Sequence, residues 1–118
     1  MSTMHSDPNC IFCKIVAGQI PSRKVFEDEH LLAFHDIQPW APVHVLIIPK
    51  QHIESLADVG PEHQELVGRM LVLAPRLMRE LGVTNGFRTL INTGRDGMQE
   101  VMHLHMHVIG GPRPWAKG

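Results

Sequence analysis

An α+β domain is the fold class this sequence predicts: an antiparallel sheet of about five strands, packed on one face by one long and one short helix. Strand-like apolar runs lie towards both ends of the chain, a single long helical stripe lies between them, and the connections are short. The 118 residues are enough for one hydrophobic core and too few for two. Residues 1–9 are polar and expected to form a flexible lead-in, which leaves 10–118 as the single domain.

Ile11, Phe12, Ile15 and Val16 share a helical face, and Gly18 is placed to stop that short helix. Val25-Phe26 and Leu31 to His35 read as two strands, with Asp28-Glu29-His30 turning between them. Pro39 and Pro42 make Asp36 to Pro42 a loop. His44 to Ile48 is a mostly buried strand closed by Pro49. Pro61 suits the first position of the long helix, with Glu62 and Glu65 near its positive end. Leu66, Met70, Leu73, Leu77 and Leu81 carry its apolar stripe, Pro75 should kink it, and Gly82 ends it. Phe87 to Asn92 is a strand, Gly94 to Gly97 a turn, and His103 to Ile109 the last strand.

A net charge of −1 argues against a broad electrostatic footprint for nucleic acid or a membrane surface, so any anion site must be built locally. No apolar stretch approaches the roughly 20 residues of a membrane helix, and no apolar segment follows a basic start. A cytoplasmic protein is expected. Cys10 and Cys13 are the two cysteines; at this spacing they read as metal or redox chemistry before a structural disulfide. Two small buried thiols are the plainer alternative.

Nine histidines are the one compositional anomaly, and three of them form His103-Leu-His-Met-His107. On a strand, spacing of two puts all three imidazoles on one face, about 6–7 Å apart, with Leu104, Met106 and Val108 on the other. Three readings stay open: a tri-histidine metal site, a nucleophilic histidine with supporting histidines, or an exposed row. Gly110-Gly111, which lets backbone approach a ligand closely, favours a functional reading. His5, His30, His35 and His63 have no evident role.

His103-Leu-His-Met-His107-Val-Ile matches the His-φ-His-φ-His-φ-φ signature of the histidine-triad (HIT) family, φ being apolar. Ile11-Phe-Cys-Lys-Ile15, Phe34-His-Asp-Ile37, Ala41-Pro-Val-His-Val-Leu-Ile-Ile-Pro-Lys50 and Asn92-Thr-Gly-Arg-Asp-Gly97 follow family order and spacing across nearly the whole chain. The chain resembles the small nucleotide-binding branch of that family, the purine nucleoside phosphoramidases.

The resemblance implies a HIT-like fold whose sheet extends across a homodimer. It implies that His105 attacks the α-phosphorus of a purine nucleoside 5′-phosphoramidate, an adenylated amine, and that water then releases the monophosphate. Neutral imidazole is abundant at pH 7 and suits that role. His107 and His44 resemble residues that contact the phosphoryl oxygens and the leaving group. Asp36 resembles the ribose anchor; alone it would be a solvated aspartate at a hairpin end. Ile11, Phe12, Ile15, Ile37 and Leu46 would form the slot around the base, though alone they would be core. Asn92, Gln99 and Glu100 would lie by the phosphate. There Met98 and Glu100 replace the Gly and Ser of close relatives, and a carboxylate beside phosphate is repulsive unless it turns away or pairs with a base such as Arg95.

Some bacterial relatives bind zinc through two Cys and two His, which here would be Cys10, Cys13, His52 and His103. Four protein ligands leave no open position, so such a zinc would be structural and would orient the strand carrying His105. Trp115 resembles a tail residue that reaches the partner's site, and a merely packed Trp is the alternative. Rival activities are a dinucleoside polyphosphate hydrolase, a zinc-stabilised nucleotide-binding or regulatory module with little turnover, and a tri-histidine metal hydrolase.

Overall fold

Val43–Pro49 is the longest strand-like apolar run, and it takes the centre of the sheet. The computed structural model of the chain describes residues 6–117. Much of the expected flexible lead-in, and His5 with it, lies outside the described residues. Asp7 is already ordered against the first helix: its carbonyl accepts from the N–H of Cys10 at 3.0 Å.

The elements are α1 (Ile11–Val16), β1 (Lys24–Glu27), β2 (Leu31–His35), β3 (Val43–Pro49), α2 (Gln64–Glu80), β4 (Phe87–Leu90) and β5 (Met106–Gly110). The five strands form one sheet in the order β1-β2-β3-β5-β4, every neighbouring pair antiparallel. The α+β class and the strand count are as the sequence predicts.

The helices do not share a face. Leu31, Ala33, Val45, Ile47, Met106 and Val108 pack with Met70, Leu73, Leu77 and Met78 of α2. Their chain neighbours Leu32, Phe34, Leu46 and Ile48 pack with Phe12 and Ile15 of α1. Side chains alternate along a strand, so the two helices cover opposite faces. The unbroken apolar runs of β2 and β3 are the signature of strands buried on both sides.

Three boundaries differ from expectation. Pro61–His63 is a 3₁₀ turn, and α2 begins only at Gln64. The helix then runs through Pro75; the carbonyl its ring leaves without a donor belongs to Leu71, a residue on the exposed side of the helix. β5 begins at Met106 rather than His103, because the N–H of Leu104 goes to the carbonyl of Ile53 and that of His103 to Val101 instead of a ladder partner. The pairing of β4 with β5 stops at Leu90, opposite His107, two residues short of Asn92.

The end of α2 is a Schellman motif. Val83 N–H bonds the Met78 carbonyl at 2.8 Å and Gly82 N–H bonds that of Arg79 at 3.1 Å, with Gly82 at φ +82. Val83 then joins Met78 in the core. Gly82→Ala is therefore expected to lower the free energy of unfolding by about 1 kcal/mol, since a Cβ is strained at positive φ. Urea melts of the two proteins measure it, and an unchanged midpoint would contradict the left-handed cap.

Candidate functional site

His105 and His107 keep the face that alternation gives them, although only His107 lies within β5. His107 stands opposite Leu46, on the α1 side of the sheet, and the His105 ring meets Phe12 of α1 edge-on at 5.2 Å. His44 sits on the same face of β3. All three are buried, and the rings of His105 and His107 lie 5.1 Å apart.

Backbone groups fix how these rings carry their protons. His105 Nδ1 lies 2.7 Å from the carbonyl oxygen of His103, which can only accept. The proton is therefore on Nδ1, and Nε2 is a free lone pair. Trp40 N–H donates to His44 Nδ1 at 3.0 Å, so His44 is protonated on Nε2. That Nε2–H faces His107 Nδ1 at 2.9 Å, with Asp36 Oδ2 farther off at 3.5 Å. His107 Nδ1 is then an acceptor, and its proton sits on Nε2. Thus the site offers one nucleophilic nitrogen and, on the neighbouring ring, one N–H donor.

Burial holds these rings neutral. It pushes His107 down to about 3, with the nearby His105, His44 and Lys117 acting in the same direction. Burial lowers His105 as well, against the bond to the His103 carbonyl and the charges of Asp36 and Glu100. His44 is lowered by burial and partly restored by Asp36.

The first imidazole of the row belongs elsewhere. His103 turns to Cys10, Cys13 and His52, and the four ligand atoms lie within 4.8 Å of one another. Cys10 Sγ and His103 Nδ1 are 3.3 Å apart, as are Cys13 Sγ and His52 Nδ1. The row therefore divides between two clusters, and its three imidazoles do not converge as one ligand set. All four members are buried, and the group could hold a metal ion. The donor set fits one: His103 Nε2–H donates to the Pro49 carbonyl at 2.8 Å, which leaves Nδ1 aimed into the cluster as a lone pair. Burial pushes the Cys10 thiol up, and a cation would reverse that by stabilising the thiolate.

The remaining residues expected at the site are placed unevenly. Phe12, Ile15 and Leu46 are buried together with Phe34. Ile11 is 48% exposed, and Ile37, beyond β2, is 93% exposed. Asp36 follows β2 beside His44, and its Oδ1 accepts from Gln38 N–H at 2.8 Å. Asn92 is half-buried just past β4. The buried Gln99 has committed its amide to the loop: Nε2 donates to the carbonyls of Glu54 and Val101, and Oε1 accepts from Gly94 N–H. Glu100 is exposed, yet its charge reaches His105. Met98 holds φ +62, the region that favours glycine.

Trp40 is the residue that sequence reading missed. Its ring stacks on His107 at 4.4 Å and 18° and tilts over His44 at 4.7 Å. The available signal was a large aromatic inside a proline loop, four residues before His44. Trp115 packs within its own tail, donating to the Gly111 carbonyl at 3.0 Å beneath Arg113.

The HIT domain family model matches residues 17–113. Protein HitA of Neisseria gonorrhoeae is 54% identical over 104 residues, covering 88% of this chain and 97% of that protein. The purine nucleoside phosphoramidase of Escherichia coli strain K12 is 45% identical over 102 residues, covering 86% of each chain. Among solved structures, a HIT family hydrolase from Legionella pneumophila Philadelphia 1 superposes with a TM-score of 0.86 at 46% identity, covering 89% of this chain and 95% of that one. A histidine triad protein from Clostridium difficile gives a TM-score of 0.88 at 44% identity, covering 92% and 96%.

The buried neutral histidines make stability depend on pH. His107 falls from 6.5 to about 3 on folding, so between those values the unfolded chain binds the extra proton. Its stabilisation is complete above about pH 6.5 and is lost as pH falls towards 3. Tm should drop between pH 7.5 and pH 5, and His107→Asn should flatten that slope. Differential scanning calorimetry at several pH values checks both.

Proposed function

The chain belongs to the HIT domain family, and on that premise we propose that it is a nucleotide-binding hydrolase cleaving the P–N bond of purine nucleoside 5′-phosphoramidates. The observation that carries the reading is the bond from His105 Nδ1 to the His103 carbonyl, which leaves Nε2 as a neutral nucleophile. The similarity to the E. coli purine nucleoside phosphoramidase supports the substrate class.

In the first step the His105 Nε2 lone pair attacks the α-phosphorus. A phosphorus–histidine bond forms, and the P–N bond of the substrate breaks with its electron pair going to the amine. That nitrogen takes one proton from His107 Nε2–H. The His44–His107 pair therefore carries one proton beyond its neutral state in the complex. Its counter-charges are the Asp36 carboxylate, 3.5 Å from His44 Nε2, and the anionic phosphoryl group. Water then attacks the nucleotidyl-His105, returns a proton to the pair, and releases the monophosphate. In this reading Asp36 accepts from the ribose hydroxyls, and Phe12, Ile15 and Leu46 wall the base with Ile11 and Ile37 at the rim. Asn92 and Glu100 border the phosphate, while Gln99 braces the loop.

Cys10, Cys13, His52 and His103 would hold zinc. With four protein ligands the ion would supply stability and anchorage, not a reacting position. Thiolate ligands call for a reducing compartment, consistent with the cytoplasm. Among the described residues no helix is long and apolar enough to cross a membrane. A homodimer with continuous sheets is supported by the exposed edge strand β4 and by exposed Leu71 and Val72 on α2.

Met98 and Glu100 favour a second reading, a nucleotide-binding module with little turnover. Intact-mass spectrometry after mixing wild type and His105→Ala with adenosine 5′-phosphoramidate separates the two. Monophosphate release by wild type alone, with an adenylyl adduct, is expected; tight monophosphate binding without release would sink the hydrolase. Native mass spectrometry should show a dimer carrying two zinc ions. A Cys10→Ser/Cys13→Ser double variant should lose the zinc and melt at a lower temperature. A metal-free wild type of unchanged Tm would refute the structural zinc.

A further inference from the structure

Trp40 acts on both imidazoles of the proton-donating pair, through two different parts of itself. Its main-chain N–H bonds His44 Nδ1, and its ring lies parallel to His107 at 4.4 Å. His44 and His107 are in turn bonded to each other at 2.9 Å. A histidine ring held by a single hydrogen bond can still turn about its outer torsion, because that torsion has a broad minimum. A flat indole against its face removes the turn and leaves only the in-plane direction for Nε2–H. The same face favours positive charge on the facing ring, which is the state the donor must pass through.

The loop that presents Trp40 is itself tied down. Pro39 and Pro42 restrict the chain on either side. Lys117 N–H donates to the Trp40 carbonyl at 3.1 Å, and its ammonium lies 5.1 Å from the indole centroid. The main-chain N–H of Trp40 thus serves the site, while its carbonyl takes the C-terminal tail.

We propose that Trp40 is a positioning residue that aims the His107 Nε2–H at the departing nitrogen and so ranks leaving groups by the protonation they need. The kinetic half rests on the phosphoramidase reading; the ring geometry does not. The test uses full-length Trp40→Leu, which removes the aromatic face, and Trp40→Phe, which keeps one. Trp40→Gln replaces the leucine variant if that fails to fold.

Nitrogen-15 NMR of the His107 ring, without substrate, should show a protonated Nε2 and a bare Nδ1 in wild type and Trp40→Phe. Trp40→Leu should show averaged shifts. Turnover is then compared on an alkylamine phosphoramidate of adenosine and on an adenylate ester of a nitrophenol, whose leaving group needs no proton. Trp40→Leu should lose about tenfold or more in kcat on the alkylamine substrate, little on the ester, and leave KM nearly unchanged. Equal losses on both substrates, or wild-type ring shifts in Trp40→Leu, would overturn the proposal. Wild type inactive on both substrates would reject the phosphoramidase reading instead, and the ring shifts alone would then decide the role of Trp40.

Discussion

The tautomer of His105 depends on the 2.7 Å bond from its Nδ1 to the carbonyl of His103. Without it the ring could carry its proton on either nitrogen, and the face turned to a substrate would be as often a donor as a nucleophile. The carbonyl can do this only if its own peptide is immobile. The N–H of that same peptide, on Leu104, donates to the Ile53 carbonyl, and the ring of His103 is held by the Pro49 carbonyl. Phe12 packs edge-on against both His103 and His105. A metal among Cys10, Cys13, His52 and His103 would tie α1 to the residue that supplies this carbonyl. The candidate metal cluster and the proposed nucleophile are thus two residues apart in sequence and one hydrogen bond apart in space.

Burial of the same region explains why the second pair of imidazoles is bonded as it is. A charged ring is costly to desolvate, so His44 and His107 rest neutral and satisfy each other. Neutral rings have one donor and one acceptor each. A chain that starts at a main-chain N–H, passes through His44 and reaches His107 therefore has one consistent direction. It ends on His107 Nε2–H. An anionic ligand changes the balance, because its charge joins that of Asp36 in favouring an extra proton on the pair.

Features that depend on residue type and regular spacing were legible in the sequence. The five strands, both helices and the alternation of His103, Leu104, His105, Met106 and His107 follow from patterning. What escaped depends on groups without a side-chain signature. The strand through His103 fails because a main-chain carbonyl at Ile53 captures the N–H of Leu104. The helices fall on opposite faces because β2 and β3 are apolar on both sides, a signal present in Leu31-Leu32-Ala33-Phe34 but compatible with either arrangement. Trp40 escaped because a contact between a proline loop and a strand 67 residues later has no period to reveal it.

The loop at residues 93–99 takes its shape from two of its residues. Gln99 closes it with three hydrogen bonds, and a Cβ on Gly97 would collide with the main chain of Thr93. Its backbone path is therefore set by Gln99 and Gly97 rather than by the residue between them. Met98 is left to adopt φ +62, at a conformational cost of about 1 kcal/mol, with its side chain 73% exposed. Met98 therefore bears on what the loop presents to a ligand more than on where its amides lie. The same holds for Glu100, whose carboxylate adds a charge felt at His105 without entering the hydrogen-bonded frame. If the loop borders a phosphate as proposed, turnover depends on whether repulsion from Glu100 is outweighed by the N–H donors of the loop.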